Sequence, residues 1–386
     1  MLKLPYINLL YRMLAKYFDY MATTPVHPDV LEEMSRYLSS DQLFANPDSQ
    51  HLLGRIACHE LSTFSKRFCS LLGSPNARVV WTSGASESVN LALKGAATQY
   101  RHAGRHIISW NTEHSATLES LRSLEAQGYI VTLLPVRSNG LIDLDAFAAA
   151  IRQDTTLVSI CHVHNELGCI QPIDMIADLC AERGVLLHVD CAQSIGKAPL
   201  HLHPGIHFAS FSAHKCYGPK GIGALVMTDP NRKISKLIDG GKQQYNLRSG
   251  TIPLYLIAGF VCAVEMAIKR YDERQASIRS LFQLFIDKLD ARISWNGCVQ
   301  MRTPYNINIC MPKNIHTNQL DELKQTYSLS SHAACNPHMT SHVLDAIQRS
   351  PAEQARCLRI SLGLHSDQTT VLDLIAQINA LVHVNA

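Results

Sequence analysis

From Arg78 onward the chain alternates short apolar runs with amphipathic stretches, and this alternation restricts the possible folds more than any other feature. Apolar runs fall at Arg78–Thr82, His106–Ser109, Ile130–Pro135, Leu157–Val163, Val185–Val189, Phe208–Ser212 and Gly223–Met227. Their length and flanking turn residues read as strands. Helical patterns lie between them at Glu87–Tyr100, Ala116–Gln127, Leu144–Arg152 and Asp174–Arg183. Alternation at this spacing predicts an α/β fold, with a mainly parallel central sheet covered by helices on both faces. In such sheets the ligand collects at the carboxyl ends of the strands, so chemistry-bearing residues are expected just after them.

The character of the chain changes after two long helical patterns, Leu254–Tyr271 and Asp272–Ile293. Beyond these, Asn306–Met311 and Leu358–Ser361 read as strands among helices at Thr317–Thr326, Thr340–Arg349 and Ser366–Leu381. This predicts a large domain over 21–270 and a smaller α+β domain from 1–20 and 271–386. A length of 386 residues suits that division. The composition, 46% hydrophobic and 17% charged, is that of a soluble globular chain. A net charge of +3 with scattered Lys and Arg argues against direct nucleic-acid binding. Twelve cysteines without a CxxC pair argue against a disulfide framework or zinc ribbon. They fit thiols kept reduced in the cytoplasm, most of them as small buried apolar groups. Pro5, Asn8 and Arg12 interrupt the mildly apolar start, so neither a signal peptide nor a membrane span is expected. Met13 is an alternative start, because the first patterned strand begins only near Lys16.

Three strand ends carry candidate chemistry. Thr82-Ser83-Gly84-Ala85-Ser86-Glu87 follows a strand and opens a helix, so small residues there let backbone N–H groups reach an anion. Small turn residues before a helix are more often simple caps. Asp190 ends VLLHVD, with Gln193 three residues on. The carboxylate could cap the next turn or face a cationic cofactor ring. Lys215 lies in FASFSAHKCYGPKGIG, approached by Ser210, Ser212 and His214. A lysine there could be merely solvated. Yet a strand-end Asp followed 25 residues later by a strand-end Lys matches the needs of pyridoxal 5'-phosphate. Lysine forms the Schiff base, and the carboxylate keeps the ring nitrogen protonated so that the ring accepts electrons. Cys335 lies in SLSSHAACNPHM, which reads as a loop with His332, His338 and His342 close in sequence. A thiol there could be partly ionised and nucleophilic; on composition alone it could equally be incidental. His162 and His164 share a strand face and could pair on a metal, but no further ligands accompany them, and no metal is expected. His201, His203 and His207 read as a solvated loop.

Further motifs complete a pattern. In order the chain carries YFDYMATTPVHP, ANPDSQH, WTSGASESVNLALKG, NTEHSATL, HVHNELGCIQPI, HVDCAQSIGK, SFSAHKCYGPKGIGAL, LRSGT, SSHAAC and LRISLG. Together they resemble the cysteine desulfurase family of the fold-type I, class V aminotransferase superfamily over nearly the whole chain. The resemblance implies pyridoxal 5'-phosphate on Lys215, which also shuttles the substrate proton. It implies His114 over the ring face, Asp190 on the ring nitrogen and Gln193 on the ring hydroxyl. Ala85, Ser86, Ser212 and His214 would hold the phosphate, with Thr251 reaching it from the second subunit of a homodimer. Asn165 and Arg359 would bind the substrate carboxylate. Cys335 aligns with the cysteine that takes sulfur from L-cysteine as a persulfide, releasing L-alanine, before transfer to an acceptor protein. Iron–sulfur assembly, tRNA thiolation and DNA phosphorothioation all remain open as destinations. A selenocysteine lyase or other class V activity is the nearest rival. A non-catalytic sulfur-transfer scaffold is a more distant one, which would have no need of Lys215 and Cys335. His332, Asn336-Pro337, Gly240-Gly241 before Lys242, and a short stretch from Cys335 to Val343 depart from the family pattern. A short tether predicts that sulfur transfer depends on a dedicated partner.

Overall fold

The computed structural model describes residues 14–39, 43–331 and 340–384. Its main sheet contains β1 (Arg78–Thr82), β2 (His106–Trp110), β3 (Ile130–Leu134), β4 (Thr155–Cys161), β5 (Leu186–Asp190), β6 (Phe208–Ser212) and β7 (Gly223–Met227). Their spatial order is β1-β7-β6-β5-β4-β2-β3. β2, β3, β4, β5 and β6 pair in parallel, whereas β7 runs antiparallel to both β6 and β1. The link from β6 to β7 spans only residues 213–222, too short for a helical crossover, so β7 has to return beside β6 in the opposite direction. β4, β5 and β6 are buried along their whole length, as expected of strands covered on both faces.

The covering helices are α1 (Pro28–Ser39), α2 (Leu52–Leu71), α3 (Ala85–Gln99), α4 (Ser115–Glu125), α5 (Leu144–Ala150), α6 (Ile173–Glu182) and α7 (Leu254–Lys269). α7 packs against α1 and α2, and Phe68, Trp81, Phe211 and Phe260 meet edge to face beneath them. α8 (Tyr271–Lys288) leads to a second, antiparallel sheet ordered β10-β9-β8, formed by β8 (Ser294–Trp295), β9 (Asn306–Cys310) and β10 (Cys357–Ser361). α9 (Thr317–Thr326) and α10 (Gln368–Val384) complete this region. Its separate core joins Phe18, Ile278, Phe285, Ile307, Ile309, Leu358, Ile360 and Leu374.

The helix expected over Thr340–Arg349 is shorter and is followed by a second turn. It runs His342–Ala346, capped by the Ser341 hydroxyl, which accepts from the Leu344 N–H. Gln348 at φ 66° ends it, and Ser350-Pro351 opens a new turn through a capping box with Glu353. Strand alternation in β10 sends Leu358 and Ile360 into the small core, and Cys357, Arg359 and Ser361 to the other face. The N-terminal segment is stitched to this strand: Ser361 N donates to Phe18 O at 2.7 Å, and Met21 N donates to Ser361 Oγ at 3.0 Å.

β1 pairs with β7 on one side only. On its open side the Gln244 side chain takes a strand's place: its Oε1 accepts from Trp81 N at 2.6 Å and its Nε2 donates to Trp81 O at 2.8 Å. Gln244, Tyr245 and Asn246 all have positive φ, which folds this loop back onto the sheet edge. No helix among the described residues is long and apolar enough to cross a membrane.

Candidate active site

The carboxyl ends of β1, β4, β5 and β6 open into one cavity of about 610 Å³. β7 begins so close to the β1–α3 turn that a Cβ on Gly223 would lie 2.5 Å from the Gly84 carbonyl carbon, so only glycine fits there. This packing presents the amino end of α3 to the cavity. Gly84 is its N-cap and supplies no side-chain cap, leaving the first-turn N–H groups around Ala85 and Ser86 available to an anion. Ser86, Ser212 and His214 line the same region. The His214 ring Nδ1 is 3.1 Å from Thr23 Oγ1, and burial together with Lys215, Lys197 and Lys220 pushes the imidazole down to about 4. His214 is therefore neutral at neutral pH and serves as a hydrogen-bonding group.

Asp190 ends β5. Its Oδ1 accepts from Ala192 N at 2.9 Å. Burial raises its pKa, against the pull of the Ala192 N–H, His114 and Lys215. A buried carboxylate in this state gains from a hydrogen-bonding cation, and a protonated pyridine nitrogen is one. Lys215 follows β6 in a short 3₁₀ turn, and its Nζ donates to Met21 O at 2.7 Å and Ala22 O at 2.8 Å. Two backbone carbonyls hold the amine at the cavity wall. His114 is the N-cap of α4, and its Nδ1 accepts from Ala116 N at 3.1 Å. In the neutral ring the proton then sits on Nε2. The donor set fits pyridoxal 5'-phosphate: an uncapped helix end for the phosphate, a carboxylate for the ring nitrogen and an amine for the aldehyde.

Gln193 lies on the same wall. Its Nε2 donates to Met21 O at 2.8 Å, and its Oε1 accepts from Lys197 Nζ at 2.6 Å. Arg359 crosses from β10 with its side chain 1% exposed. Its Nη2 bonds Asp19 Oδ1 at 2.7 Å, its Nη1 donates to Asn165 O at 3.3 Å, and its Nε is buried without a partner. Asn165 lines the cavity beside it.

Thr251 is exposed and lines a separate groove with Phe44, Ile252 and Tyr255. Cys335 lies outside the described residues, although both flanks are anchored near the cavity. Ser330 exchanges backbone hydrogen bonds with Arg359, and Ser341 Oγ donates to Glu166 Oε2 at 2.7 Å. His342 Nε2, on the same flank, is 3.1 Å from Glu113 O. His162 and His164 do not converge on a shared point: His162 Nδ1 meets Ser194 Oγ at 3.0 Å, while His164 bonds Thr112 O through Nε2 and receives Glu166 N through Nδ1.

Cys161 lines the cavity, and Asp19, Glu113 and Lys197 contact Arg359, Cys161 and Gln193, but none of the four was given a role in the site from the sequence. Glu113 is wholly buried, and its Oε1 accepts from Cys161 N at 3.0 Å. Burial, with Asp190 nearby, lifts its carboxyl to about 8 despite that bond. Asp19, Glu113 and Lys197 lie inside motifs already recognised, YFDYMATTPVHP, NTEHSATL and HVDCAQSIGK, and Cys161 directly precedes HVHNELGCIQPI; that placement was the only available signal.

Comparison with known proteins agrees with this geometry. The family described as Aminotransferase class-V matches residues 16–374. Among curated relatives, "Cysteine desulfurase IscS" of Vibrio campbellii is 40% identical over 375 residues, covering 95% of this chain and 92% of the relative. A solved structure titled "NIFS-LIKE PROTEIN" superposes with TM-score 0.87 at 32% identity, covering 95% of this chain and 99% of the other. Another, "SspA in complex with cysteine", gives TM-score 0.78 at 36% identity over 91% of this chain and 99% of that one. With the sheet order, the strand-end residues and these likenesses in agreement, the chain belongs to the class-V aminotransferase family, among the cysteine desulfurases, and has the fold-type I architecture.

Proposed function

We propose that this chain is a pyridoxal 5'-phosphate-dependent cysteine desulfurase that converts L-cysteine to L-alanine and carries the abstracted sulfur as a persulfide on Cys335. The observation that carries this reading is the convergence of Lys215, Asp190, Gln193, His114 and the uncapped start of α3 on one cavity, with Arg359 at its edge. The bound cofactor supplies an electron sink for the carbanion at the substrate Cα. Lys215 would hold it through its amine, Asp190 would pair with its ring nitrogen, and Ala85, Ser86, Ser212 and His214 would receive its phosphate. Arg359 and Asn165 orient the substrate carboxylate, which fixes the Cα–H toward Lys215. The Lys215 amine would take that proton, and the His114 Nε2–H would assist proton transfer. The Cys335 thiolate then attacks the substrate sulfur. An S–S bond forms, the C–S bond breaks, and its electron pair remains with the carbon skeleton that leaves as alanine.

Cys335 is five residues from Ser330 and six from Ser341, so chain length alone keeps it within roughly 20 Å of both anchors. That short tether supports transfer to a dedicated acceptor protein docking at the cavity mouth. The exposed Thr251 groove supports a homodimer in which Thr251 reaches the neighbour's phosphate site. The change from the large sheet to the small one after α7 supports division near residue 270. The unpaired thiols among the described residues suit the reducing cytoplasm. Cys335→Ser tests the reading: it should retain the cofactor's visible absorption and its response to cysteine, while alanine and sulfide production fall to background. Near wild-type sulfide release in the presence of dithiothreitol would remove Cys335 from the mechanism.

A further inference from the structure

Lys197 is a fully buried lysine behind the cofactor wall, with 4% of its surface exposed. Its Nζ donates to Gln193 Oε1 at 2.6 Å and lies 3.9 Å from Met21 Sδ. Among the described residues, the charged and ionisable groups that act on it are Lys215, the Cys216 thiol and Arg359, none of them a carboxylate. Burial, and then Lys215, push its ammonium down to about 7. At neutral pH it is then partly neutral, and an anion brought against Gln193 would draw it to the ammonium form.

The hydrogen-bond chemistry of Gln193 supplies the link. An ammonium only donates, so the amide atom facing Lys197 has to be the carbonyl oxygen. The Met21 carbonyl only accepts, so the atom facing it has to be the amide nitrogen. Rotating the amide by half a turn would set N–H against ammonium and oxygen against oxygen. Both contacts therefore hold Gln193 in a single orientation. Its NH₂ has two hydrogens, one of them spent on Met21 O, and Gln193 lines the cofactor cavity.

We propose that Lys197 is a positioning residue: it locks the Gln193 amide so that Nε2 gives its remaining N–H to the anionic ring oxygen of the cofactor, and its positive charge behind the amide offsets that oxygen's charge. The proposal rests on the pyridoxal phosphate reading above. It assigns the lysine no contact with substrate or cofactor.

The test uses the cofactor-loaded enzyme and follows the pH titration of its visible absorption band in wild type, Lys197→Met, Lys197→Gln and Lys197→Arg. Loss of a nearby cation favours the protonated form, so the Met variant should raise the titration midpoint by about one pH unit. Lys197→Gln retains an N–H donor without the charge, and should shift the midpoint in the same direction if the Met variant fails to fold. Lys197→Arg keeps both donor and charge and should stay close to wild type; a small cavity lined by Lys197, Tyr217 and Arg274 offers room for it. An unshifted midpoint in a folded, loaded Met or Gln variant overturns the proposal, as does an Arg variant shifted as far as Met. A wild-type protein that acquires no borohydride-sensitive band overturns the cofactor reading instead, and this inference with it.

Discussion

Replacing Arg359 by Ala removes two interactions that the structure allows to be separated. The guanidinium holds Asp19 through Nη2, donates weakly to Asn165 O through Nη1, and leaves Nε buried and unpaired. A substrate carboxylate that takes the free Nε and shares Nη1 makes one or two charge-assisted hydrogen bonds, together about 3 kcal/mol. Their loss should lower kcat/KM for cysteine roughly 150-fold. The second cost is structural, because Asp19 loses its cation. Stripping one partner from a buried pair costs about 3–5 kcal/mol, and partial exposure of Asp19 reduces that to about 2 kcal/mol. Asp19→Asn removes the stranded charge. Asp19→Asn/Arg359→Ala should therefore regain most of the lost stability in urea denaturation while its kcat/KM stays low. Alanine release against cysteine concentration gives the kinetic arm, and the visible absorption confirms that cofactor content is unchanged. An Arg359→Ala enzyme within threefold of wild type in kcat/KM, or a double variant that recovers activity along with stability, would refute the assignment.

Borohydride reduction of the loaded protein followed by peptide mapping should place the pyridoxyl group on Lys215; modification of Lys197 or Lys220 instead would show that the site has been misread. Glu113, raised to about 8 mainly by burial, binds its proton more tightly folded than unfolded, so its contribution to stability is present at acid pH and lost as pH rises toward 8. Glu113→Gln should flatten that decline, which can reach about 1.4 kcal/mol per pH unit; parallel Tm profiles for the two proteins between pH 5.5 and 8 would contradict it. Sedimentation should find a dimer at assay concentration, weakened by Phe44→Glu because Phe44 is 69% exposed in the Thr251 groove. A fully active monomer would exclude a trans contribution from Thr251.

The large sheet was legible because its strands are short apolar runs closed by turn residues; β1, β6 and β7 coincide with the runs read from the sequence. The direction of β7 was not legible from its apolarity, since direction follows from the length of the preceding link. β8 has only two residues, Ser294 and Trp295, too few for any periodicity. The helices α1 and α2 were not read in advance either; α2 carries Gly54, Ser62 and Thr63, which weaken its helical pattern, and its burial against α7 supplies what propensity does not. At the site, Lys215, Asp190, Gln193 and Arg359 stood out because each lies in a dense motif, and all four line one cavity. What a linear pattern cannot express is pairing across the chain. Asp19 and Arg359 meet across 340 residues, and Lys197 matters only because its ammonium happens to face the oxygen of Gln193.

An outermost strand with free N–H and C=O groups is a template on which another molecule can lay its own strand. In β1 that template is closed at Trp81 by a single glutamine amide rather than by a further strand. A side chain can do this without lengthening the sheet, so the backbone that carries Gln244 is free to turn away at once toward Arg248 and Thr251. The same two hydrogen bonds thus act as a stop against strand-to-strand aggregation and as a fixed origin from which the outgoing loop is measured. Were Gln244 shortened to Ala, both roles would lapse together: the sheet margin would become adhesive, and the loop would lose the point that determines how far it projects.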